Sequence, residues 1–262
     1  MKKMIVITSG KGGVGKTTTT VNLGAAINSF KRDVLIIDAN LSTPNIGIHL
    51  NSPEVPINLN HVLLGKADPF EAVYVHESGM KVMPASLSIK ELKKIRPERI
   101  KEFKNAFKKL SDCVLLDCGA GLGSEVLSVM EMADEIIIVT NPEMPALTDA
   151  LKTIKLAESM KKKIRGVIIT RVKKNQIEMQ PNTVRDMLEV PILGMIPEDI
   201  NVSKSLNYRD AVVHTHPKSN SSRAYKEIAA RILEIDYDSN KDKEKLFVRI
   251  LRTLKFKINP KT

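Results

Sequence analysis

The chain has 262 residues, of which 42% are hydrophobic and 27% are charged, a composition that excludes a disordered or low-complexity protein. Its formal net charge of +11 suggests an anionic partner, either nucleic acid or a membrane surface. Two cysteines exclude a disulfide framework and indicate a reducing cytoplasm, and no apolar run approaches the ~18 residues that span a bilayer.

The positive charge is confined to two short segments. Residues 90–109 carry a net charge of +6, and residues 241–262 carry another +6. The rest of the chain has a net charge of −1. The main body is therefore electrically balanced, and any anionic partner is expected at these two segments.

Short apolar runs rich in valine and isoleucine recur at residues 4–8, 34–38, 113–117, 135–140, 164–170 and 192–196. Segments of helical period lie between most of them, for example 146–160 and 220–233. Continuous apolar strands separated by helices are typical of a parallel sheet that is covered on both faces. We predict a doubly wound, mainly parallel α/β domain over residues 1–237, a polar tether over 238–243 and a distinct tail over 244–262.

A phosphate-binding loop follows the first predicted strand. The segment from Gly10 to Thr17 matches G-x-x-x-x-G-K-[ST] and opens a predicted helix, which is the context that makes this motif specific. Glycines let the backbone wrap a phosphate, and the helix adds its positive dipole end. Lys16 would neutralise the β- and γ-phosphates, and the Thr17 hydroxyl would ligate Mg²⁺. The predicted nucleotide-binding residues are Gly10, Lys11, Gly12, Gly13, Val14, Gly15, Lys16, Thr17 and Thr18.

Lys11 is additional to an ordinary phosphate-binding loop. Residues 11–18, Lys-Gly-Gly-Val-Gly-Lys-Thr-Thr, resemble the deviant Walker A motif of the MinD/ParA family of dimerising ATPases. The resemblance implies ATP or ADP with Mg²⁺ as cofactors and a homodimer in the ATP-bound state. It also implies that Lys11 reaches across the dimer interface to the partner's nucleotide, as an arginine finger does.

Residues 34–45 are similar to the second strand and switch I of that family. The resemblance assigns Asp38 to catalysis and to the Mg²⁺ site. Family members usually show D-x-D here, whereas this chain has Asp38-Ala39-Asn40. The Asn40 amide can orient a water molecule but cannot accept its proton. In phosphoryl transfer, the positioning of the water matters more than the basicity of the residue beside it. We therefore predict slow hydrolysis with Asn40 as a catalytic residue. The alternative is that Asn40 is only a turn residue.

The first basic segment, residues 90–110, has apolar residues at helical spacing and a break at Pro97. The simplest interpretation is a helix with a solvated basic face. The alternative is a DNA-contacting surface, because basic patches bind phosphates without reading the base sequence.

Residues 114–121 resemble the family's Walker B strand and switch II. Asp117 ends an aliphatic run, which suits a Mg²⁺-associated carboxylate at the carboxyl edge of the sheet, where ligands bind. The backbone N–H of Gly121 is predicted to contact the γ-phosphate. For base recognition the resemblance points to Arg171, Pro197 and Glu198.

Two groups of potential metal ligands are not predicted to form sites. Cys113 and Cys118 lack the C-x-x-C spacing that an iron–sulfur carrier of related fold requires. His214 and His216 alternate and could bind a metal, but the sequence shows no cysteine or carboxylate cluster beside them.

The tail predicts a cationic amphipathic helix. At ~100° per residue Leu246, Phe247, Ile250, Leu251, Leu254 and Ile258 share one arc, and the basic residues at 245, 249, 252 and 255 lie on the other side. Phe256 and Lys257 break this pattern near the end. Such a helix beyond a polar tether is typical of an anchor on an anionic membrane surface, and members of the family's MinD branch end in a similar helix. The alternative is a helix packed on the domain itself. The predicted membrane-contacting residues are Leu246, Phe247, Ile250, Leu251 and Leu254.

These features predict an ATPase that dimerises with ATP and hydrolyses it to ADP and phosphate. Two paired tails would hold the dimer peripherally on the inner face of the cell membrane, for positioning in cell division or related organisation. A protein activator or cargo is an expected further partner. The alternatives are a ParA-like DNA-partitioning ATPase, which is less favoured, and a nucleotide-switched scaffold without turnover.

Overall fold

The computed structural model describes residues 2–52, 54–173 and 181–238. Across these ranges, no helix combines the length and the apolar character that crossing a membrane requires. The predicted tail, with Leu246, Phe247, Ile250, Leu251 and Leu254, lies outside the described residues, as does the tether after residue 238. The boundaries of tether and tail therefore stay predictions.

In the described ranges, one sheet of eight strands has the order β3-β4-β2-β5-β1-β6-β7-β8. All neighbouring strands are parallel except β3 and β4. The six predicted strands are confirmed, whereas β3 and β4 were missed because they are only two and three residues long. The strands are β1 (Lys3–Ser9), β2 (Val34–Ala39), β3 (Tyr74–Val75), β4 (Lys81–Met83), β5 (Cys113–Ala120), β6 (Glu135–Thr140), β7 (Lys163–Val172) and β8 (Ile192–Pro197).

Helices connect the strands and cover the sheet. Two short 3₁₀ helices span Pro69–Ala72 and Pro97–Phe103. The α-helices are α1 (Lys16–Ser29), α2 (Ile46–His49), α3 (Leu59–Leu63), α4 (Ile89–Leu92), α5 (Lys104–Leu110), α6 (Ser124–Met132), α7 (Met144–Ser159), α8 (Pro181–Leu188), α9 (Ile200–Asn207), α10 (Val212–Thr215) and α11 (Asn220–Leu233).

A hydrophobic core lies on each face of the sheet. Along β1, Met4 and Val6 belong to the core on one face, and Ile5 and Ile7 belong to the core on the other. All four side chains are fully buried, and burying such a side chain contributes about 1.5–3 kcal/mol. Helices α6 and α7 complete the first core, while α1 and α11 complete the second. The predicted doubly wound α/β fold is confirmed.

The parallel pairing brings three loops to one edge of the sheet. In the register of β5, Asp117 lies opposite Ile7 of β1 on one side and Asp38 of β2 on the other. The segments that follow these strands therefore emerge side by side at the carboxyl edge, the position where ligands bind in open α/β sheets.

The basic segment 90–110 forms α4, the second 3₁₀ helix and α5, with the break at Pro97 that the sequence predicted. Ile100 and Phe107 are fully buried. Lys108 lies 2.7 Å from a carboxylate oxygen of Asp134, which follows α6. These contacts support the interpretation as a solvated helix face for its C-terminal half.

Candidate nucleotide-binding site

The loop between β1 and α1 is held in shape by its glycines and its neighbours. Gly15 caps the N-terminus of α1 with a φ of 92°, a left-handed conformation that favours glycine. A Cβ atom on Gly10 would collide with the backbone carbonyl of Asp149 in α7. On the other side of the loop, the Thr170 hydroxyl lies 2.7 Å from the carbonyl of Val14. The loop is therefore preformed around a space that its backbone N–H groups can line.

Asp117, at the carboxyl end of β5, is tied to the first turn of α1. Its carboxylate accepts hydrogen bonds from the hydroxyls of Thr17 at 2.6 Å and Thr20 at 3.1 Å. Burial raises the pKa of Asp117 to about 6, while the Thr17 hydrogen bond and the nearby Lys16 act in the opposite direction. Burial also disfavours the charged form of Lys16 and so lowers its pKa, while the nearby carboxylate of Asp117 opposes that shift.

Asp38, at the end of β2, lies beside Asp117 in the sheet register and is fully buried. One carboxylate oxygen accepts the backbone N–H groups of Asn45 at 2.8 Å and Ile46 at 2.9 Å. Burial and the neighbouring Asp117 raise the pKa of Asp38 well above its usual value, although the backbone hydrogen bonds act the other way. Asp38 therefore organises the start of α2 and adds a second carboxylate to the site.

These groups form a donor set that fits Mg²⁺. Asp38, Asp117 and the Thr17 hydroxyl are oxygen donors, the ligand type that Mg²⁺ prefers. Two neighbouring buried carboxylates do not readily ionise together unless positive charge compensates them. Lys16, whose side chain is almost completely buried near Asp117, supplies part of that charge. A divalent cation would supply the rest.

Asn40 lies in a tight turn after β2. Its Nδ2 atom donates to the backbone carbonyl of Thr43 at 2.7 Å and lies 3.0 Å from the Thr43 hydroxyl. Asn40 and Thr43 also line the same cavity as Lys16 and Thr17. The structure thus gives Asn40 a turn-stabilising role and at the same time a place beside the phosphate-binding loop.

Lys11 is paired with Glu143 and does not line the phosphate cavity. Its Nζ atom lies 3.8 Å from a carboxylate oxygen of Glu143, and its side chain is 45% exposed. The predicted action of Lys11 on a partner's nucleotide stays a prediction and requires this exposed ion pair to open.

The predicted contact of Gly121 requires a rearrangement. Its N–H group donates to the carbonyl of Ser9 at 3.0 Å, and its φ is 88°. In this conformation the N–H is not free to bind a γ-phosphate, because it secures the end of β5 to the end of β1. The proposed phosphate contact stays a prediction that requires this bond to open.

The residues predicted for base recognition come together in one cavity next to the loop. Arg171, Pro197 and Glu198 line it with Gly15 and Thr18. Arg171 also lines the adjoining cavity that contains Lys16 and Thr17. The two cavities share Gly15, Thr18 and Arg171 in their lining; one is lined by the phosphate-binding loop, and the other lies between β7, β8 and α9.

Sequence reasoning missed two threonines that shape this site. Thr170 contacts Val14, Thr140 and Asn141 at the end of β7, and Thr20 supports Asp117 from α1. Nothing in the sequence distinguishes Thr170 from other threonines, because its partners are remote along the chain. Thr20 does lie one helical turn after Lys16, a spacing that could have placed it on the same face.

The two cysteines do not form a metal site. Cys113 and Cys118 both lie on β5 but belong to the cores on opposite faces of the sheet. Burial raises the pKa of each thiol to about 12, so neither is a thiolate at neutral pH. The exclusion that the sequence suggested agrees with this placement.

Comparison with known proteins identifies relatives that span nearly the whole chain. The model of the ParA family, described as "NUBPL iron-transfer P-loop NTPase", matches residues 1–233. An uncharacterised ATP-binding protein of Methanocaldococcus jannaschii is 36% identical over 241 residues, which cover 92% of this chain and 91% of that protein. The septum site-determining protein MinD of Bacillus subtilis is 31% identical over 242 residues, with coverages of 89% and 90%. The structure of MinD from Pyrococcus horikoshii, complexed with Mg-ADP, has a TM-score of 0.85 at 32% identity and covers 88% of this chain and 96% of that one.

Proposed function

The chain belongs to the ParA family of P-loop NTPases and is MinD-like within it, and from that premise we propose that it is an ATP-dependent dimerising switch. In this proposal it hydrolyses ATP slowly to ADP and phosphate and controls its own reversible attachment to a membrane. The main observation in support of ATP hydrolysis is the 2.6 Å hydrogen bond from Thr17 to Asp117, which joins the phosphate-binding loop to a buried carboxylate.

The cofactors are ATP or ADP with Mg²⁺. The binding of Mg-ADP by the MinD of Pyrococcus horikoshii supports this proposal, as does the oxygen donor set at Thr17, Asp38 and Asp117. Mg²⁺ would neutralise charge that develops on the transferred phosphoryl group. Lys16 would bind the phosphates, while the backbone from Gly10 to Gly15 would wrap them.

Asn40 would position the attacking water. Phosphoryl transfer passes through a loose transition state, so the position of the water matters more than the basicity of the residue beside it. An amide is therefore sufficient for slow turnover. The bonds from Asn40 to Thr43 support this role, since they hold the side chain at the cavity edge. Slow turnover would give the ATP-bound form a long lifetime.

Dimerisation would depend on Lys11, the exposed lysine of the loop. Paired subunits would present two tails, and two linked weak helices bind a surface much more tightly than one because the second binds at high effective concentration. The tail at 244–262, tethered by 238–243 to the body at 1–237, would thus attach the dimer to the inner face of the membrane. Hydrolysis would release it, and a protein activator or cargo would set where this happens.

Iron transfer, which the family description names, is not proposed for this chain, because its two cysteines are buried on opposite faces of the sheet.

The catalytic proposal is tested by phosphate release from ATP by the full chain. We expect Mg²⁺-dependent turnover that Lys16→Ala abolishes, with Lys152→Ala, an exposed lysine of α7, as the control that retains it. Nucleotide binding without any phosphate release would instead favour the scaffold alternative.

The membrane proposal is tested by co-sedimentation with anionic liposomes in ATP and in ADP. We expect binding that ATP strengthens and that Ile250→Glu with Leu254→Glu abolishes. Val248→Glu is the matched control, because residue 248 falls outside the predicted apolar arc. Equal binding by all variants would refute the tail as the anchor.

A DNA-binding function is the second candidate, because Lys90, Lys93, Lys94 and Arg96 are exposed and form no ion pair with the rest of the described chain. DNA binding through such side chains would fall steeply with salt, whereas a membrane helix would lose only its electrostatic part. Co-sedimentation of the full chain with DNA at low and high salt, with and without ATP, separates the two candidates.

A further inference from the structure

Two histidines and a carboxylate from distant parts of the chain meet beside α10. His76 lies in the turn between β3 and β4, Asp210 lies just after α9, and His214 is in α10. The Nε2 atom of His76 is 3.5 Å, and the Nδ1 atom of His214 is 2.8 Å, from the same oxygen of Asp210. One ligand atom from each residue can be chosen so that all three lie within 4.8 Å of one another.

This arrangement corrects the sequence-based view of the histidines. His214 pairs with His76 and Asp210 rather than with His216, which contacts Thr215 instead. Asp210 lies four residues before His214, one helical turn away, so a carboxylate was present near the histidines after all. His76 is far away in sequence, and only the packing of the β3–β4 turn against α10 supplies it.

The spacing of the three residues suits a transition-metal ion. Zn²⁺ bound at about 2.0–2.1 Å in tetrahedral geometry separates its ligand atoms by about 3.3 Å. The distance from His76 to Asp210 is already 3.5 Å, and the 2.8 Å distance from His214 needs to lengthen by about half an ångström. The two imidazole rings are nearly parallel, with centroids 5.3 Å apart.

The contacts of His76 fix the orientation of its ring. Its Nδ1 atom accepts the backbone N–H of Ser78 at 3.2 Å and lies 3.0 Å from the Ser78 hydroxyl. The ring proton is therefore on Nε2, facing Asp210. A metal ion at Nε2 would move this proton to Nδ1, where the Ser78 hydroxyl could accept it in the outer hydrogen bond that is usual for metal-binding histidines.

The cluster is separate from the nucleotide-binding site. None of the three residues lines either of the two cavities around the phosphate-binding loop. Their side chains are 17%, 25% and 19% exposed, which leaves room for water to complete a coordination shell. Asp210 also accepts the backbone N–H of Ala211 at 2.6 Å, which fixes its carboxylate at the start of α10.

We propose that His76, Asp210 and His214 form a binding site for one divalent transition-metal ion of the Zn²⁺ type, completed by water. Two imidazoles and one carboxylate form a borderline-soft set of ligands, which favours Zn²⁺ over Mg²⁺ or Ca²⁺. A bound ion would cross-link the β3–β4 turn to α10 and so fasten the edge of the sheet to the helical layer.

The test is a Zn²⁺ titration of the full chain by calorimetry. The protein is first treated with a chelator and kept free of nucleotide, with millimolar Mg²⁺ present to occupy oxygen-donor sites. We expect one Zn²⁺ per chain in the wild type, at least about tenfold weaker binding in His76→Ala, His214→Ala and Asp210→Asn, and unchanged binding in His216→Ala. Asp210→Asn retains an oxygen that can accept the Ala211 N–H and so distinguishes loss of metal from loss of fold.

Two further measurements, of Co²⁺ absorption and of thermal stability, test the same proposal. Co²⁺ in place of Zn²⁺ should give visible absorption bands in the wild type that disappear in His214→Ala, and saturating Zn²⁺ should raise the melting temperature by several degrees in the wild type only. The proposal is overturned if the wild type binds no Zn²⁺ at micromolar concentration. It is equally overturned if the cluster variants bind Zn²⁺ as tightly as His216→Ala.

Discussion

The hydroxyl of Thr17 donates a 2.6 Å hydrogen bond to a carboxylate oxygen of Asp117, joining two residues that are 100 positions apart in the chain. The other carboxylate oxygen accepts a hydrogen bond from Thr20. Because Thr17 gives its proton to Asp117, the lone pairs of its oxygen remain available to a cation. This pair is therefore the structural link between the start of α1, the end of β5 and the proposed Mg²⁺ site.

We predict that Thr17→Ala lowers the rate of Mg²⁺-dependent ATP hydrolysis by at least about 100-fold, because both the cation ligand and the support of Asp117 are lost. Thr17→Ser keeps the hydroxyl and should retain most of the rate. Phosphate release at saturating Mg-ATP provides the measurement. Near-normal hydrolysis by the alanine variant would contradict the assignment.

We predict that Asp117→Asn makes the protein more stable in the absence of Mg²⁺ and nucleotide at neutral pH. Burial raises the pKa of Asp117 from 3.8 to about 6, so the folded state binds more protons than the unfolded state between those values. Stability therefore falls as pH rises through this window, by about 3 kcal/mol in total, and an amide does not ionise.

The measurement for this prediction is urea unfolding of both proteins at about pH 4.5 and about pH 7.5. The advantage of Asp117→Asn should be clear at the higher pH and small at the lower one. An equal difference at both pH values would show that the ionisation of Asp117 is not its cause.

We predict that Asn40→Asp increases the steady-state rate of ATP hydrolysis, because a carboxylate near the attacking water can also accept its proton. The variant should lose about 1 kcal/mol of stability, since aspartate cannot donate to the Thr43 carbonyl as Asn40 does. Asn40→Ala removes the same donor without adding a base and is the control that should not gain activity. A turnover of Asn40→Asp no higher than that of the wild type would refute the proposed role.

We predict that Lys11→Ala remains monomeric in ATP while the wild type dimerises. The ion pair of Lys11 with Glu143 spans 3.8 Å between exposed side chains, so it stabilises the monomer little and should not compete with a partner subunit. Light scattering after gel filtration measures the oligomeric state, with Lys152→Ala as the lysine control. Dimerisation of Lys11→Ala equal to the control would exclude a contact of Lys11 across the interface.

We predict that Thr170→Val weakens both folding and ATP binding. The Thr170 hydroxyl lies 2.7 Å from the Val14 carbonyl and 2.8 Å from Asn141, and valine of the same shape would leave these buried groups without a partner, at a cost of about 1–3 kcal/mol. Thr170→Ser should behave like the wild type. Urea unfolding measures the effect on stability, and equilibrium titration with a fluorescent ATP analogue measures the effect on binding. An unchanged affinity of Thr170→Val for the analogue would show that the shape of the phosphate-binding loop does not depend on β7.

Much of the fold could be predicted because buried parallel strands produce continuous apolar runs. The predicted runs 34–38 and 135–140 match β2 and β6 almost residue for residue, and the predicted helix 220–233 coincides with α11. β3 and β4 escaped prediction because they are very short, and their pairing depends on the neighbouring strand β2. The phosphate-binding loop was recognisable because all its parts are contiguous.

By itself, the sequence determined the fold class, the phosphate-binding loop and the separation of charge from the main body, since each depends on residues close together in the chain. Only the tertiary structure decided which side chains share a site. It placed Asp38 beside Asp117 and paired the N–H of Gly121 with the carbonyl of Ser9. It also linked Thr170 to the phosphate-binding loop and brought His76 and His214 to Asp210. The physical reason is that strand register and helix packing set these distances, and both result from the burial of the whole sheet rather than from any local pattern.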